Sequence, residues 1–322
     1  MKLSKRLLLL WVASAALMVS GCKTSPSLES NSEPEASTSQ PVEMGVEIVE
    51  QTGKAVSGAA SQAILRFEAS DQRREMRVFL PSENDGKRSL LVLFHGLGDS
   101  AENFALTLNA EKLAEKLRVI VAVPQGLKNP NNGPSSWNAG VCCAFGDETR
   151  DDASLLPAIK NAVAELTEFD QDVVDVAGFS NGGFFAEYLA CKHSDQVRGV
   201  LNVGGNQPVP NEECVLSSPV NVVRVHGTDD DRVPHEGGSW RGRELPSLEQ
   251  NFVAWRERLG CSRAPQPSNY GAASCRQQFD CKNGSLELCS VYGMGHTWPS
   301  DRATGLDVFH VAWQVWNRPL SK

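Results

Sequence analysis

The residues best placed to do chemistry centre on Ser180, held in Gly178-Phe179-Ser180-Asn181-Gly182 between the run Val173-Val174-Asp175-Val176-Ala177 and an apolar helical pattern. A serine hydroxyl is a weak nucleophile at neutral pH. Acyl transfer needs it lifted clear of a sheet edge, with a base on one side and backbone N–H donors on the other. Strand, sharp turn and helix provide that exposure, and the glycines let strand and helix pack closely. A second apolar run, Leu90 to Phe94, leads into His95-Gly96-Leu97-Gly98-Asp99. Its glycines free backbone amides to face an anion, so the N–H groups of Leu97 and Asn181 are the expected oxyanion donors, with His95 structural. A third run, Val220 to Val225, ends in His226-Gly227-Thr228-Asp229-Asp230-Asp231, a carboxylate cluster from which one member is expected to orient a histidine. The base should come last in chain order. His296, in Gly293-Met294-Gly295-His296-Thr297-Trp298-Pro299, is the candidate, whereas His193, His235 and His310 lie in polar or helical contexts.

The elements that must position these groups are β-rich apolar runs alternating with helix-period segments. Met76 to Leu80, Leu90 to Phe94, Val119 to Val123, Val173 to Ala177, Val200 to Val203 and Val220 to Val225 read as buried parallel strands. Leu106, Ala110, Leu113 and Leu117 share one helical face. So do Leu156, Ile159, Val163 and Leu166, and later Leu248, Phe252, Trp255 and Leu259. The alternation predicts an α/β fold with a mostly parallel, doubly wound sheet and helices on both faces, and ligands then gather at the carboxyl ends of the strands. Met44 to Arg66 is expected to enter the sheet through an antiparallel edge strand.

Composition fits one large core: 41% of the 322 residues are hydrophobic and 22% charged. The formal net charge of -8, with no dense Lys/Arg run, argues against a nucleic-acid partner and points to neutral substrates.

The chain opens on a targeting pattern. Lys2, Lys5 and Arg6 precede an apolar stretch from Leu7 to Val19, short for a membrane span and suited to a secretory signal. Val19-Ser20-Gly21-Cys22 resembles the bacterial lipobox, which implies cleavage before a lipidated Cys22. Lys23 stands where a membrane-retention signal places Asp, so the resemblance favours the outer membrane. From Lys23 to about Val42 the chain is rich in Ser, Glu, Pro and Thr and reads as a tether. The expected organisation is a signal over 1–21, lipidated Cys22 and tether over 22–58, and a catalytic domain over 59–322.

Eight cysteines remain in a chain addressed to an oxidising compartment: Cys142, Cys143, Cys191, Cys214, Cys261, Cys275, Cys281 and Cys289. An even number there reads as disulfides of undetermined pairing. Adjacent Cys142 and Cys143 are expected to bond different partners. No C-x-x-C pair occurs and the spacings match no usual zinc motif, so no metal is expected.

From about Phe67 to Trp316 the chain resembles the polyhydroxybutyrate depolymerase and feruloyl or acetylxylan esterase group of the α/β-hydrolases, which includes mycobacterial lipoprotein-like members. The resemblance rests on His95-Gly96, Trp137-Asn138-Ala139-Gly140-Val141-Cys142-Cys143, the serine turn continuing to Gly183, His226-Gly227-Thr228 with Val233-Pro234, and Gly295-His296-Thr297-Trp298-Pro299. It implies an α/β-hydrolase fold and a cofactor-free serine esterase acting on small or oligomeric esters. Asp230 falls where the family's H-G-T-x-D pattern puts the triad acid; Asp229 and Asp231 are the alternatives. Trp137 and Trp298 are candidates for an aromatic or sugar-binding wall, with core packing the other reading of each. The chain departs from the family after Cys143, where Ala144 to Arg150 precede Asp151-Asp152, which puts the pocket rim in question. A serine peptidase of similar fold and a non-catalytic surface-binding lipoprotein are the competing functions.

Overall fold

The computed structural model describes residues 45–52, 61–83, 88–129, 133–144 and 147–318. The signal segment, Cys22 and most of the tether lie outside the described residues. In chain order the elements begin with β1 (Glu47–Thr52), β2 (Ser61–Ala69), β3 (Gln72–Leu80) and β4 (Leu90–Phe94). Helices α1 (Ala101–Leu108) and α2 (Ala110–Leu117) follow, then β5 (Ile120–Pro124), the short pair β6 (Leu127–Lys128) and β7 (Ser135–Ser136), and α3 (Leu155–Leu166). The second half runs β8 (Val174–Phe179), α4 (Asn181–Lys192), β9 (Gly199–Val203), β10 (Asn221–Gly227), β11 (Gly238–Trp240), β12 (Arg243–Leu245) and α5 (Leu248–Leu259). It closes with β13 (Gln266–Tyr270), β14 (Ala273–Cys281), β15 (Gly284–Val291), α6 (Asp301–Thr304) and α7 (Val308–Trp316).

An eleven-stranded sheet has the order β1-β2-β3-β5-β4-β8-β9-β10-β15-β14-β13. Its centre, from β5 through β15, is parallel, and the strands on either flank are antiparallel. The two faces are read off the pleat: on β4, Leu90, Val92 and Phe94 join a core under α3, α4 and α5, while Leu91 and Leu93 join one under α1, α2 and α7. Both faces of the central strands are therefore buried, which is why they appear as unbroken apolar runs.

Three expectations are corrected here. Met76 to Leu80 lies in β3, which is antiparallel to both neighbours, because a two-residue turn at Ser70 and Asp71 (φ 49° and 57°) folds it straight back on β2. Leu106 is 74% exposed, because the helix breaks at Asn109 (φ 51°), which shifts the phase of the apolar face between α1 and α2. Glu47–Thr52 pairs antiparallel with β2 as the outermost strand, as expected of Met44 to Arg66, so the span 22–58 read as tether is too long at its end.

Candidate active site

The turn from β8 to α4 holds Ser180 at φ 54°, ψ −119°, a conformation that non-glycine residues adopt only when the surroundings enforce it. The enforcement is visible. Ser180 N–H donates to the Val203 carbonyl at 2.8 Å, and the backbone is so close that a Cβ on Gly178 would lie 2.0 Å from Gly182 O and one on Gly182 2.0 Å from Phe94 O. Because α4 starts at Asn181, its first amides have no intrahelical acceptor and face the space beside the serine with the positive end of the helix dipole.

His296 and Asp230 arrive from the loops after β15 and β10. His296 Nε2 lies 2.8 Å from Ser180 Oγ, and its Nδ1 lies 2.7 Å from Asp230 Oδ2. The carboxylate can only accept from Nδ1, so that nitrogen carries the proton and Nε2 is left to accept from the serine hydroxyl. Asp230 is nearly buried, and burial alone would raise its pKa. Hydrogen bonds from His226, His296 and the Val233 backbone N–H outweigh that and hold the carboxyl well below the usual range. His226 Nε2 sits 2.8 Å from the Val233 carbonyl and 3.2 Å from Asp230 Oδ2, so it carries a proton directed at two acceptors. Of the alternatives, Asp229 accepts from Thr228 Oγ at 2.8 Å and donates its N–H to the Met294 carbonyl, which ties the two loops together. Asp231 lies at the rim of the cleft with its side chain 81% exposed.

The loop after β4 is fixed from below by His95, which is fully buried. Its Nδ1 donates to the Gly96 carbonyl at 2.7 Å and its Nε2 accepts from Gly126 N–H at 3.0 Å, which sets a neutral tautomer. Burial lowers its pKa in the same sense. Gly98 N–H is engaged by Ser135 O and Asp99 N–H by Gly96 O, whereas Leu97 lines the cleft with Ser180 and His296. The Asn181 side chain works elsewhere, its Oδ1 accepting from Trp137 N–H at 2.8 Å and its Nδ2 donating to the Trp137 carbonyl at 3.0 Å. It clamps the neighbouring rim segment while its own backbone amide stays at the start of α4.

The cleft over Ser180 encloses about 510 Å³. Trp137 does not line it. The indole is fully buried, stacked on Phe185 at 5.5 Å, with Nε1 donating to the His95 carbonyl, so it belongs to the core, held there by tertiary packing that its local sequence does not announce. Trp298 lines a separate groove next to the cleft. Among the described residues, the tryptophan that reaches the cleft is Trp240, at the end of β11, stacked on Phe184 at 5.5 Å and pinned by Nε1 donating to the Arg232 carbonyl at 2.7 Å. Sequence reasoning misses it. The available signal is a lone aromatic in the polar stretch Glu236-Gly237-Gly238-Ser239-Trp240-Arg241-Gly242, with no apolar periodicity to explain it.

The cysteine pairing also differs from expectation. Cys142 and Cys143 bond each other, with Cα atoms 3.7 Å apart, and Cys143 takes φ 78° to permit it. The other six pair as Cys191–Cys214, Cys261–Cys281 and Cys275–Cys289, which leaves the neighbours no other partner among the described residues. Both Cys142 and Cys143 line the cleft, and Asn181 Nδ2 approaches Cys142 Sγ at 3.6 Å. Among the described residues, Cys275, Glu287 and Cys289 cluster within reach of one cation, but those two sulfurs are bonded to each other and offer no thiolate.

The chain is 26% identical over 237 residues to feruloyl esterase B of Piromyces equi, covering 69% of this chain and 42% of that protein. It is 28% identical over 176 residues to feruloyl esterase D of Neurospora crassa, covering 53% and 54%. The chain thus spans less than two thirds of the length of these curated relatives. Among solved structures, an acetyl xylan esterase from Aspergillus awamori matches 83% of this chain and 100% of its own at a TM-score of 0.55 and 13% identity. A ferulic acid esterase from Anaeromyces mucronatus, solved with ferulic acid, matches 82% and 94% at a TM-score of 0.55 and 13% identity. These likenesses establish the α/β-hydrolase fold. The family model described as phospholipase/carboxylesterase matches residues 77–245, more than half of the chain and ending before His296, and the chain therefore belongs to the phospholipase/carboxylesterase family.

Proposed function

We propose that this chain is an exported serine esterase that hydrolyses carboxylic esters of the feruloyl or acetyl type, or short hydroxyalkanoate oligomers, through a Ser180-His296-Asp230 triad. The observation that carries the reading is the unbroken relay from Ser180 Oγ through both nitrogens of His296 to Asp230, opening into a cleft beside the first amides of α4. In the first step His296 Nε2 takes the hydroxyl proton as Oγ attacks the ester carbonyl. The oxyanion is received by the N–H groups of Leu97 and Asn181, each worth about 2.7–4 kcal/mol in such sites. The alkoxide leaves with the proton from Nε2, and water repeats the sequence on the acyl-enzyme.

The test is turnover of aryl acetates, methyl ferulate and hydroxybutyrate oligomers by the chain and by Ser180→Ala, with organophosphonate labelling alongside. Turnover and labelling that vanish together in the variant support the reading. Hydrolysis that persists in Ser180→Ala, or amide turnover exceeding ester turnover, sinks it.

Anchoring belongs to the same proposal. The signal pattern, Cys22 and Lys23 support lipidation and placement on the outer membrane, with acyl chains contributing about 0.8 kcal/mol per buried CH₂. The mass of the mature N-terminal peptide checks it: an acylated Cys22 is expected, and an unmodified terminus elsewhere would overturn it.

A further inference from the structure

We infer that the buried Glu187–Arg224 ion pair positions the triad: together with Asn202 it fixes the turn at Gly204 and Gly205, against which His296 and the first turn of α4 are seated. This rests on the esterase reading above. Glu187 lies on α4, roughly two turns beyond Ser180, and Arg224 lies on β10, the strand that leads to Asp230. Both side chains are 1% exposed. The Glu187 carboxylate accepts from Arg224 Nη1, from Trp255 Nε1 at 2.9 Å and from Asn202 Nδ2 at 2.6 Å, so α4, α5, β9 and β10 meet on one charge.

Stability alone does not account for charges here. Taking two ions out of water costs about what their attraction returns, and well-packed apolar side chains of similar volume often serve stability as well. Apolar side chains cannot hold polar backbone, and the outer arms of this network close on one residue. Asn202 Oδ1 accepts from Gly205 N–H at 3.0 Å, and Arg224 Nη2 donates to the Gly205 carbonyl at 3.3 Å. The peptide unit before Gly204 is pinned too: its Val203 carbonyl accepts from Ser180 N–H, and Gly204 N–H donates to the Val225 carbonyl at 2.9 Å. Successive peptide units of the turn are thus fixed in orientation. The turn backs directly onto the reacting groups. A Cβ on Gly204, which has φ 62°, would stand 3.6 Å from His296 Cε1 and Nδ1. One on Gly205 would stand 2.7 Å from Phe184 N and 2.9 Å from Gly183 C, in the first turn of α4. Releasing the turn would let the imidazole tilt between Ser180 and Asp230 and let the Asn181 amide shift.

His296 serves acylation and deacylation alike, so its displacement lowers kcat and leaves KM near the native value. The test measures aryl acetate turnover and organophosphonate labelling in two variants of the full chain. The final extent of labelling counts competent sites, and its rate reports attack by Ser180. Glu187→Met/Arg224→Met removes both charges together, so neither is stranded. Asn202→Ala leaves the pair intact and cuts its link to Gly205 N–H. In each, kcat per labelled site and the labelling rate should fall by about 10²-fold, the cost of a misplacement of about 1 Å imposed from outside the chemistry, with KM little changed. A purely structural role would lower the extent of labelling and leave the rate per site native. A native rate in either folded variant, or a rise in KM at unchanged kcat, overturns the inference. If the double variant does not fold, the rate in Asn202→Ala decides. Absence of Ser180-dependent turnover and labelling in the unaltered chain would instead remove the esterase reading, and this inference with it.

Discussion

Asp230 shows how single atoms set the site's behaviour. Its Oδ2 receives His296 and His226, and its Oδ1 receives the backbone N–H groups of Arg232 and Val233 at 2.9 and 2.8 Å. Its folded-state pKa lies below the unfolded value, so its contribution to stability is full above the ordinary Asp value of about 3.9 and is lost as pH falls through the lower folded value. Loss of activity at milder acidity must then come from another group. Asp230→Asn keeps the shape and removes the charge that, in the proposed triad, orients and stabilises the imidazolium; kcat is expected to fall by roughly 10³–10⁴ with an unchanged circular dichroism spectrum. A fall of only a few-fold would return the role to a neighbour. His95 has linkage of the same sign in a milder pH range. Burial lowers its pKa, so the unfolded chain binds the proton first and stability declines as pH drops below the ordinary histidine value of about 6.5. Melting temperatures across pH 7.5 to 5.5 should therefore fall more steeply for the native chain than for His95→Gln, and equal slopes would show that His95 is not held neutral.

Elements differ in how plainly the sequence displays them, and the difference has physical causes. Strands β4, β8, β10 and β15 are buried or nearly so along their length and end in polar loops, so Ser180, His296 and the carboxylates around Asp230 were legible as residues that interrupt apolar runs. Hairpins were not. The turns at Ser70-Asp71 and Arg241-Gly242 place both central residues at positive φ without the usual Asn-Gly signature, which hid the direction of β3 and the position of Trp240. The Cys142–Cys143 pairing was hidden because it depends on a backbone angle at Cys143 that no spacing encodes. The rim segment carrying these cysteines also departs from the family pattern, and Asp152 explains how it is held. Its carboxylate, with the side chain wholly buried, accepts from Arg74 at 2.7 Å, Arg150 at 2.8 Å and the Asn138 N–H at 2.7 Å. Asp152→Ala would strand two buried guanidinium groups, which already leave Arg74 Nε and Nη1 and Arg150 Nη1 without partners. A loss of about 3–5 kcal/mol is expected in denaturant titrations. A loss under about 1 kcal/mol, the range of exposed ion pairs, would mean that water reaches the cluster.

At the scale of the whole molecule, the four disulfides divide by what they close. Cys191–Cys214, Cys261–Cys281 and Cys275–Cys289 span 23, 20 and 14 residues, and two of them bind the β14–β15 ribbon and the end of α5 together. That ribbon flanks β10, so the loops bearing Asp230 and His296 depend on it. In the chain-entropy model each such loop contributes about 3 kcal/mol, so the three together are comparable to the ~5–15 kcal/mol net stability of a typical domain. Such bracing suits the proposed export to an oxidising compartment. Cys142–Cys143 joins sequence neighbours and closes no loop, so the same model assigns it almost nothing through the unfolded state. Its place on the cleft wall gives it a different consequence. Replacing Cys191 and Cys214 by alanine should lower unfolding free energy by about 3 kcal/mol in guanidinium titrations. Replacing Cys142 and Cys143 should lower it far less, yet change kcat/KM on the ester panel, because both line the cleft. If the adjacent pair proves as costly to stability as the long-range one, its role is to hold the rim segment folded, and the division between bracing and cleft-lining disulfides is wrong.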